Sequence, residues 1–217
     1  MARFVELSHR IFDGMAAYPG LPAAVVEPIL THDQSRERYG NQAEFLLGRV
    51  ELSANTGTYL DAPYHRHRDR EDLASIGLER VASLPGVVVE PVDPSERAVS
   101  FAEVDVRGRA VLVRTGWDAH WDTPTYWEPG PFLGPRAIDA LIEGGAVLVG
   151  VDFANVDDTA DLSRPAHTRL LDAGILLVEN MTGLDALPPG GFRFSAVPLA
   201  IERGPTFPVR AYAELDG

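Results

Sequence analysis

The chain concentrates groups that could do chemistry in one short segment, residues 55–65, which reads NTGTYLDAPYH. Within it, Asp61, Pro63 and His65 follow one another at intervals of two. In an extended backbone, Asp61 and His65 would therefore project to the same side. A carboxylate and an imidazole that converge in this way can bind a metal ion, or act as an orienting group and a base. The alternative is a polar loop with a capping aspartate and a surface histidine.

Two further residues could join such a site from the second half of the chain. Glu179 lies in ILLVENM, an otherwise apolar segment. A buried carboxylate is costly unless it is paired, protonated or bound to a metal, and the sequence offers Glu179 no basic neighbour. We therefore interpret Glu179 as a functional candidate, unless it points outward at the end of a strand. His167 lies in the predicted helix SRPAHTRLLDAG, where a single histidine more often has a structural role.

Two charged segments are predicted to be solvated. Asp152, Asp157 and Asp158 form an acidic loop without the spacing of an EF-hand, and cation binding is the alternative. His67 belongs to the run HRHRDRED, whose arginines could instead meet a substrate carboxylate. Asp152 and Glu179 also lie where apolar runs end, and strand ends are where open sheets usually place chemistry.

Several aromatic residues could wall a small-molecule pocket, although such residues also pack oligomer interfaces. They are Tyr18, Tyr59, Tyr64, Trp117 and Trp121. The sequence contains no glycine-rich phosphate loop of the G-x-G-x-x-G or Walker A type, and no G-x-S-x-G nucleophile elbow. These absences argue against nucleotide-dependent enzymes and serine hydrolases.

The elements that must position these residues follow from apolar periodicity. Short β-branched runs predict strands, and apolar stripes ended by glycine predict two helices, the second with Ser163 as its N-cap. The predicted strands run through residues 4–7, 24–30, 44–52, 86–91, 109–116, 146–152, 175–181, 192–201 and 207–215, and the predicted helices through residues 134–145 and 163–174. The first half and the tail are thus expected to be all-β. The alternation in the second half predicts an α/β protein with a mixed sheet or barrel-like body and flanking helices on one side.

Composition and charge restrict the class of protein. The 217 residues suffice for one α/β domain, predicted to span residues 1–217, and the 45% of hydrophobic residues is an ordinary globular share. A formal net charge of −13 disfavours nucleic acid and anionic membranes as partners. The absence of cysteine excludes disulfides and cysteine-bound zinc. We find no signal-peptide pattern and no run of membrane-helix length, so we expect a cytoplasmic protein.

Residues 55–65 resemble the signature H-x-G-T-H-x-D-x-P-x-H of the cyclase family, whose best-known members are bacterial kynurenine formamidases and isatin hydrolase. Two other segments, ELSHRIFDGMAAYPG and AHTRLLDAGILLVENMTGLDAL, are similar to the opening segment and a later segment of that family. The resemblance implies a swivelling β/β/α-type domain that assembles as a homodimer or homotetramer. It also implies metal-assisted hydrolysis of small amides.

The resemblance further implies roles for individual residues. His65 matches the histidine that serves as acid–base group, Asp61 matches a bridging carboxylate ligand, and His167 and Glu179 match the distal ligands. The predicted catalytic residues are accordingly His65, Asp61 and Glu179. The predicted metal ligands are Asp61, His167 and Glu179.

Two positions of the signature differ. Its first and second histidines are Asn55 and Tyr59 in this chain, and both are weaker ligands than imidazole. We predict that these two residues face the substrate instead, together with Tyr18, Tyr64 and Trp117. The altered ligand set would hold one divalent ion, Mn²⁺, Zn²⁺ or Mg²⁺, or no metal at all.

Three functions are compatible with these residues. The favoured one is a hydrolase-like enzyme, acting on C–N bonds other than peptide bonds, that opens a small amide, lactam or lactone with at most one residual metal ion. The second is a metal-free cyclase, dehydratase or isomerase in which His65 and Glu179 are the acid–base groups and Tyr59 is a donor. The third is a non-catalytic small-molecule binding protein.

Overall fold

A computed structural model describes residues 2–215, which form two compact units. Residues 10–56 make up one unit, and the described residues on either side of them make up the other. The helices are α1 (His32–Arg38), α2 (Pro135–Gly144) and α3 (Pro165–Asp172). The strands are β1 (Arg3–Glu6), β2 (Val25–Leu30), β3 (Leu47–Glu51), β4 (Tyr59–Asp61), β5 (Leu84–Val89), β6 (Ala98–Val99), β7 (Ala110–Val113), β8 (Phe132–Leu133), β9 (Leu148–Val151), β10 (Leu176–Glu179), β11 (Gly190–Ser195), β12 (Thr206–Pro208) and β13 (Tyr212–Leu215).

The larger unit is organised around a mixed sheet that, in the described part of the chain, has nine strands in the order β1-β13-β11-β5-β7-β9-β10-β4-β12. Its central strands β5, β7, β9 and β10 run parallel and are mostly buried and apolar, as strands covered on both faces are. The outer strands pair antiparallel. Because the carboxyl ends of parallel strands meet at one edge, Asp152 after β9 and Glu179 at the end of β10 lie at the same edge.

Helices α2 and α3 pack into one hydrophobic core with the central strands. α2 contributes Ile138 and Leu141, and it ends where Gly145 adopts a left-handed φ of 75°. α3 contributes Leu170 and Leu171 to the same core. Between residues 2 and 215, none of the helices combines the length and the apolar character needed to cross a bilayer.

Residues 10–56 form the second unit, built from a pair of antiparallel strands and one helix. β2 pairs with β3, and Arg49 on β3 forms an ion pair of 2.6 Å with Glu27 on β2. Helix α1 begins with a capping box: the Thr31 side chain accepts from the backbone N–H of Gln34, and the Gln34 side chain accepts from that of Thr31. This helix is held by its cap and by charged neighbours more than by an apolar face.

The predicted α/β class, mixed sheet and flanking helices are confirmed, whereas three local predictions are wrong. The first half contains α1, which the apolar pattern missed because Ser35 is its only buried residue. Ser163 is not the N-cap of α3, since that helix begins at Pro165 after Arg164 in the left-handed region. Residues 196–201 carry no strand in the described chain, and residues 207–215 are divided between β12 and β13.

Candidate active site

Strand β4 arranges the polar residues of the segment 55–65 by its position between two other strands. It pairs with β10 on one side and β12 on the other, so that Tyr59 lies opposite Glu179 and Asp61 lies opposite Thr206. Leu60, between them, points to the other face and joins an apolar core. Directly opposite residues on neighbouring strands have Cβ atoms about 5 Å apart. The register of the sheet therefore brings four polar side chains together.

Asp61 is completely buried and keeps one carboxylate oxygen unpaired. Thr206 Oγ1 donates to its Oδ1 at 2.5 Å, whereas Oδ2 has no hydrogen-bond partner among residues 2–215. Burial alone would raise the pKa of Asp61. The charge of His65, the attraction of His167 and the Thr206 hydrogen bond outweigh burial and hold this pKa below its ordinary value. Asp61 is thus an ionised group with one oxygen available to a cation.

His65 ends a 3-10 turn, Pro63–His65, that follows β4 after one residue. The extended backbone considered for this segment therefore stops at Asp61, yet the two side chains still converge, with His65 Nδ1 3.9 Å from Asp61 Oδ1. Thr206 Oγ1 lies 3.1 Å from His65 Nδ1. Because the single hydroxyl proton of Thr206 goes to Asp61, Thr206 accepts from Nδ1–H. His65 Nε2 is then the basic nitrogen, on a side chain that is 33% exposed.

His167 is buried in the first turn of α3, and Asp157 sets its orientation. Asp157 accepts from the backbone N–H groups of Ala166 and His167 at 2.6 and 3.2 Å, and from His167 Nδ1 at 2.7 Å. One carboxylate therefore caps the helix and orients the ring. Burial disfavours a charged ring, but the Asp157 hydrogen bond and the other carboxylates nearby outweigh it and raise the pKa of His167 to about 10.

Glu179 is buried at the end of β10, and both of its oxygens accept hydrogen bonds. The Tyr59 hydroxyl donates to Oε2 at 2.5 Å, and the backbone N–H of Val156 donates to Oε1 at 2.7 Å. Burial raises the pKa of Glu179 to about 7, although the neighbouring charge of His167 acts to lower it. A carboxyl group with this pKa can exchange a proton near neutral pH, as an acid–base catalyst must.

Ligand atoms of Asp61, His65 and His167 all lie within 4.8 Å of one another, which makes this group a possible metal site. His167 Nε2 is 3.7 Å from Asp61 Oδ2 and 3.7 Å from Glu179 Oε1. These separations are too long for hydrogen bonds. They are shorter than twice the ~2.1 Å at which zinc holds nitrogen and oxygen ligands. Asp61, His65 and His167 therefore have the spacing of ligands able to share one ion, whereas the predicted ligand Glu179 approaches only His167 within this distance and lies outside that group.

The charges of the cluster also fit one divalent cation. Asp61, Asp157 and Glu179 place three buried carboxyl groups around His167, and the partly exposed His65 is a second imidazole beside Asp61, so carboxyl groups outnumber imidazoles in the cluster. Mixed imidazole and carboxylate ligands suit Mn²⁺ or Zn²⁺, whereas Mg²⁺ prefers oxygen. The second signature position offers no imidazole for a second ion, because Tyr59 stands there and donates to Glu179.

The remaining predicted substrate-facing residues are distributed over the molecule. Tyr64 is half-buried in the 3-10 turn. Trp117 donates its indole N–H to the carbonyl oxygen of Tyr126 at 3.2 Å. It also lines a cavity of about 400 Å³ whose walls, among the described residues, include none of the predicted metal ligands. Tyr18 and Asn55 belong to the unit of residues 10–56. The substrate-binding roles of all four residues stay predictions.

Sequence reasoning missed Asp157 and Thr206, which hydrogen-bond to the cluster, and the burial of Asp152. Asp157 and Asp152 were expected in a solvated loop, but this prediction is wrong, because they are only 3% and 1% exposed. Asp152 accepts from the backbone and the hydroxyl of Thr115, so the end of the sheet supplies the donors that water would otherwise supply. The positions of Asp152 and Asp157 after a buried strand were the sequence feature that could have indicated a role at the edge of the sheet. No feature of the sequence indicated a role for Thr206, since its partner Asp61 lies 145 positions away.

Comparison with known sequences identifies the family. The Cyclase family model, described as "Putative cyclase", matches residues 5–158, which is most of the chain. A kynurenine formamidase of Salinibacter ruber is 30% identical over 213 residues, covering 95% of this chain and 95% of the relative. The match therefore extends well beyond the signature segment.

Solved structures share the fold of this chain. An isatin hydrolase bound to the product analogue thioisatinate has a TM-score of 0.83 at 21% identity, covering 100% of this chain and 93% of that chain. A potential metal-dependent hydrolase with cyclase activity has a TM-score of 0.77 at 20% identity, covering 100% of both chains. These structures confirm the predicted fold.

The comparisons also bear on the predicted class of enzyme. A kynurenine formamidase is a hydrolase that acts on a C–N bond other than a peptide bond, and the 30% identical relative spans nearly the whole chain, so the prediction of a hydrolase-like enzyme of this class is confirmed. The predicted resemblance is confirmed as well, by a family model and by a relative that spans nearly the whole chain. The chain belongs to the cyclase family.

Proposed function

We propose that the protein hydrolyses a small amide, lactam or lactone, with at most one divalent ion held by Asp61, His167 and Glu179 and with His65 as the acid–base group. One observation carries this proposal. The buried Oδ2 of Asp61 has no hydrogen-bond partner among the described residues, and it lies 3.7 Å from His167 Nε2. An unpaired buried carboxylate oxygen is unfavourable, and a cation shared with His167 would satisfy it.

The protein's own groups account for the proton transfers of such a hydrolysis. A divalent ion, when bound, would polarise the substrate carbonyl and make water more acidic. His65 takes a proton from water through Nε2, because its Nδ1–H is engaged by Thr206. The water oxygen bonds to the carbonyl carbon, the bond from that carbon to the nitrogen of an amide or lactam, or to the ring oxygen of a lactone, breaks, and His65 returns the proton to the departing atom. Asp61 stabilises the positive charge that His65 carries between the two steps.

The relatives indicate which compounds to test first. By name, they act on a formamide of kynurenine and on isatin. N-formylkynurenine and isatin are therefore the first substrates for this chain. The identity of 30% supports the class of reaction more strongly than the substrate, because Asn55 and Tyr59 replace two histidines of the family signature.

Elemental analysis combined with a turnover assay tests the proposal. We expect at most one Mn, Zn or Mg ion per chain, and we expect Asp61→Asn to lose both the ion and the turnover. Asp185→Asn is the matched control, because it makes the same change at an exposed carboxylate. Turnover should fall to background after chelation and return with added metal. Metal-free protein whose turnover resists chelators would contradict the metal-assisted reaction.

A metal-free reaction is the second candidate, and the state of Glu179 favours it. Tyr59 donates to Glu179 at 2.5 Å, and burial raises the Glu179 pKa to about 7. His65 and Glu179 would then act as an acid–base pair in a cyclisation, dehydration or isomerisation, with Tyr59 as a donor. The variant His65→Ala distinguishes the two enzymatic candidates, metal-assisted and metal-free, from a non-catalytic binding protein. Retained ligand binding in this variant, with no turnover by the wild type, would favour the binding protein.

The organisation of the protein is part of the same proposal. We infer one domain over residues 1–217 that works in the cytoplasm as a homodimer or homotetramer, on a small molecule and without nucleic-acid or membrane partners. The absence of cysteine, the net charge of −13 and the family resemblance support these inferences. Light scattering on the purified protein measures the oligomeric state, and a monomer at all concentrations would contradict the inferred homodimer or homotetramer.

A further inference from the structure

The charged run after the candidate site is attached to helix α3. Residues 65–72 read HRHRDRED, and the sequence predicts a solvated face for them. In the structure, Arg66 Nε donates to Thr168 Oγ1 at 2.9 Å, and Arg66 Nη2 donates to the carbonyl oxygen of Ser163 at 3.1 Å. Both acceptors lie in or just before the first turns of α3. One guanidinium group therefore bridges two points at the start of this helix.

Further contacts follow the same helix toward its end. His67 Nε2 donates to the carbonyl oxygen of Thr168 at 2.9 Å, and Arg70 forms an ion pair of 2.5 Å with Asp172. The contacts progress along the run and along α3 in the same order. Arg66 remains exposed, as predicted for a solvated face, whereas His67 is half-buried, and both side chains also use hydrogen-bond partners on the exposed side of α3.

The position of these contacts matters for the candidate site. Arg66 directly follows His65, and Thr168 directly follows His167, so one hydrogen bond joins the neighbours of both site histidines. The rings of His65 and His167 have centroids 5.6 Å apart. They lie on different elements, one on a 3-10 turn of three residues and the other on α3. Such a short turn has little stability of its own and depends on contacts made by its flanking residues.

The chemistry of the Arg66 contacts favours positioning over charge. Both acceptors are neutral, and no carboxylate lies at ion-pair distance from Arg66 among residues 2–215. A planar guanidinium can donate to two separate acceptors with fixed geometry, which an ammonium group cannot do. The contact therefore fixes the distance between the turn and the helix.

We propose that Arg66 is a positioning residue that holds His65 at its working distance from His167 by bridging Thr168 and Ser163. The kinetic consequence rests on the proposed function, in which His65 transfers protons. The structural consequence does not, because the position of the His65 ring can be measured in a protein that turns nothing over.

The experiment compares Arg66→Ala and Arg66→Lys with Arg68→Ala. Arg68 is the matched control, since it is an exposed arginine two positions away for which no hydrogen bond or ion pair occurs within the described residues. Two quantities are measured in the full chain. One is kcat and KM on N-formylkynurenine or isatin, and the other is the rate of diethyl pyrocarbonate modification at His65, located by peptide mass spectrometry.

We expect Arg66→Ala to lower kcat by about 10–100-fold with KM nearly unchanged, because a misplacement near 1 Å can reduce a rate by roughly that factor. Modification of His65 should become several-fold faster, since the turn would no longer be tied to α3 and Thr206 alone would hold the ring. Arg66→Lys should recover part of both effects, and Arg68→Ala should match the wild type. Thr168→Val should give a smaller change, and combined with Arg66→Ala it should add only the effect of losing the Thr168 hydrogen bond to Ser163, because the rest of its effect belongs to the same contact.

Each unexpected result of these experiments leads to a different conclusion. If the wild type hydrolyses neither compound, the proposed function fails, and the labelling of His65 still decides the positioning role. Equal labelling rates in Arg66→Ala and Arg68→Ala would overturn that role. A rise in KM shared by both variants would also overturn it, in favour of a substrate carboxylate bound by the run. Should Arg66→Ala not fold, Thr168→Val removes the hydroxyl that accepts from Arg66, together with its own hydrogen bond of 3.1 Å to the Ser163 carbonyl oxygen, and it should shift both quantities in the same direction by a smaller amount.

Discussion

The substitution Asp157→Asn tests whether the carboxylate of Asp157 orients the His167 ring. Asp157 accepts one charge-assisted hydrogen bond from His167 Nδ1 and two from the first turn of α3. An asparagine keeps one oxygen acceptor but turns its NH₂ group toward another donor. Losing the bond to the ring costs about 1.5–3 kcal/mol. Weakening the cap adds about 1 kcal/mol.

We therefore expect Asp157→Asn to lower the free energy of unfolding by about 3 kcal/mol, which for a chain of this size is about 6–12 °C in Tm. Urea unfolding with a common m value measures the first quantity. We also expect the affinity for Mn²⁺ or Zn²⁺ to fall about 10–100-fold, since groups that orient a ligand have effects of that size. Isothermal titration of the metal-stripped protein measures the second.

Asp158→Asn is the matched control, because it changes the next carboxylate along the chain. Asp158 is 29% exposed, and its Oδ1 accepts from the backbone of Ala160, a bond that asparagine can also make. The variant also loses an ion pair of 3.5 Å with Arg97, which contributes little because the pair is solvent-exposed. Its variant should lie within about 0.5 kcal/mol of the wild type. If Asp157→Asn were as stable as Asp158→Asn and bound metal equally well, the assignment of Asp157 as the group that orients His167 would be refuted.

Three further predictions follow from the same contacts. Tyr59→Phe should lower the free energy of unfolding by about 2 kcal/mol, because it leaves a buried oxygen of Glu179 without its donor. Thr206→Val should cost a similar ~2 kcal/mol, since Asp61 Oδ1 loses the hydroxyl that donates to it. Burial raises the pKa of Asp152 from 3.8 to about 6, so the native protein holds a proton over this range that the unfolded chain has released. The stability of the wild type relative to Asp152→Asn should therefore fall as the pH rises through that window, by up to about 3 kcal/mol, as measured by urea unfolding at several pH values.

Each of these predictions has its own control. Tyr39→Phe makes the same change at a tyrosine that is 47% exposed, and a loss equal to that of Tyr59→Phe would contradict the first prediction. Thr206→Ser keeps the hydroxyl, so it should restore most of what Thr206→Val loses. For Asp152→Asn, a stability difference that is flat or rises between pH ~4 and ~6 would mean that the carboxyl is ionised throughout. Asp158→Asn, measured over the same range, shows the effect of an amide at a partly exposed position.

Much of the fold could be predicted because its central elements are locally encoded. The runs that become β5, β7, β9 and β10 are short, but they are mostly apolar and buried on both faces, as parallel strands inside a sheet are. Helix α1 could not be found in this way, because its stability comes from a capping box and charged pairs instead of an apolar stripe. The start of α3 was misplaced for a related reason, since its cap is Asp157, which precedes the helix by eight positions and is not its immediate neighbour in sequence.

The sequence by itself determined the family signature and the order of its chemical groups. It also indicated that Glu179 is a functional candidate, because its apolar neighbours implied burial. Only the tertiary structure decided what those groups do to one another. The register of β4 between β10 and β12 sets Tyr59 against Glu179 and Asp61 against Thr206, across separations of 120 and 145 positions. Such pairings depend on which strands become neighbours and on their alignment. Local propensity does not encode either one, because a slip of one residue would send these side chains to the opposite face of the sheet.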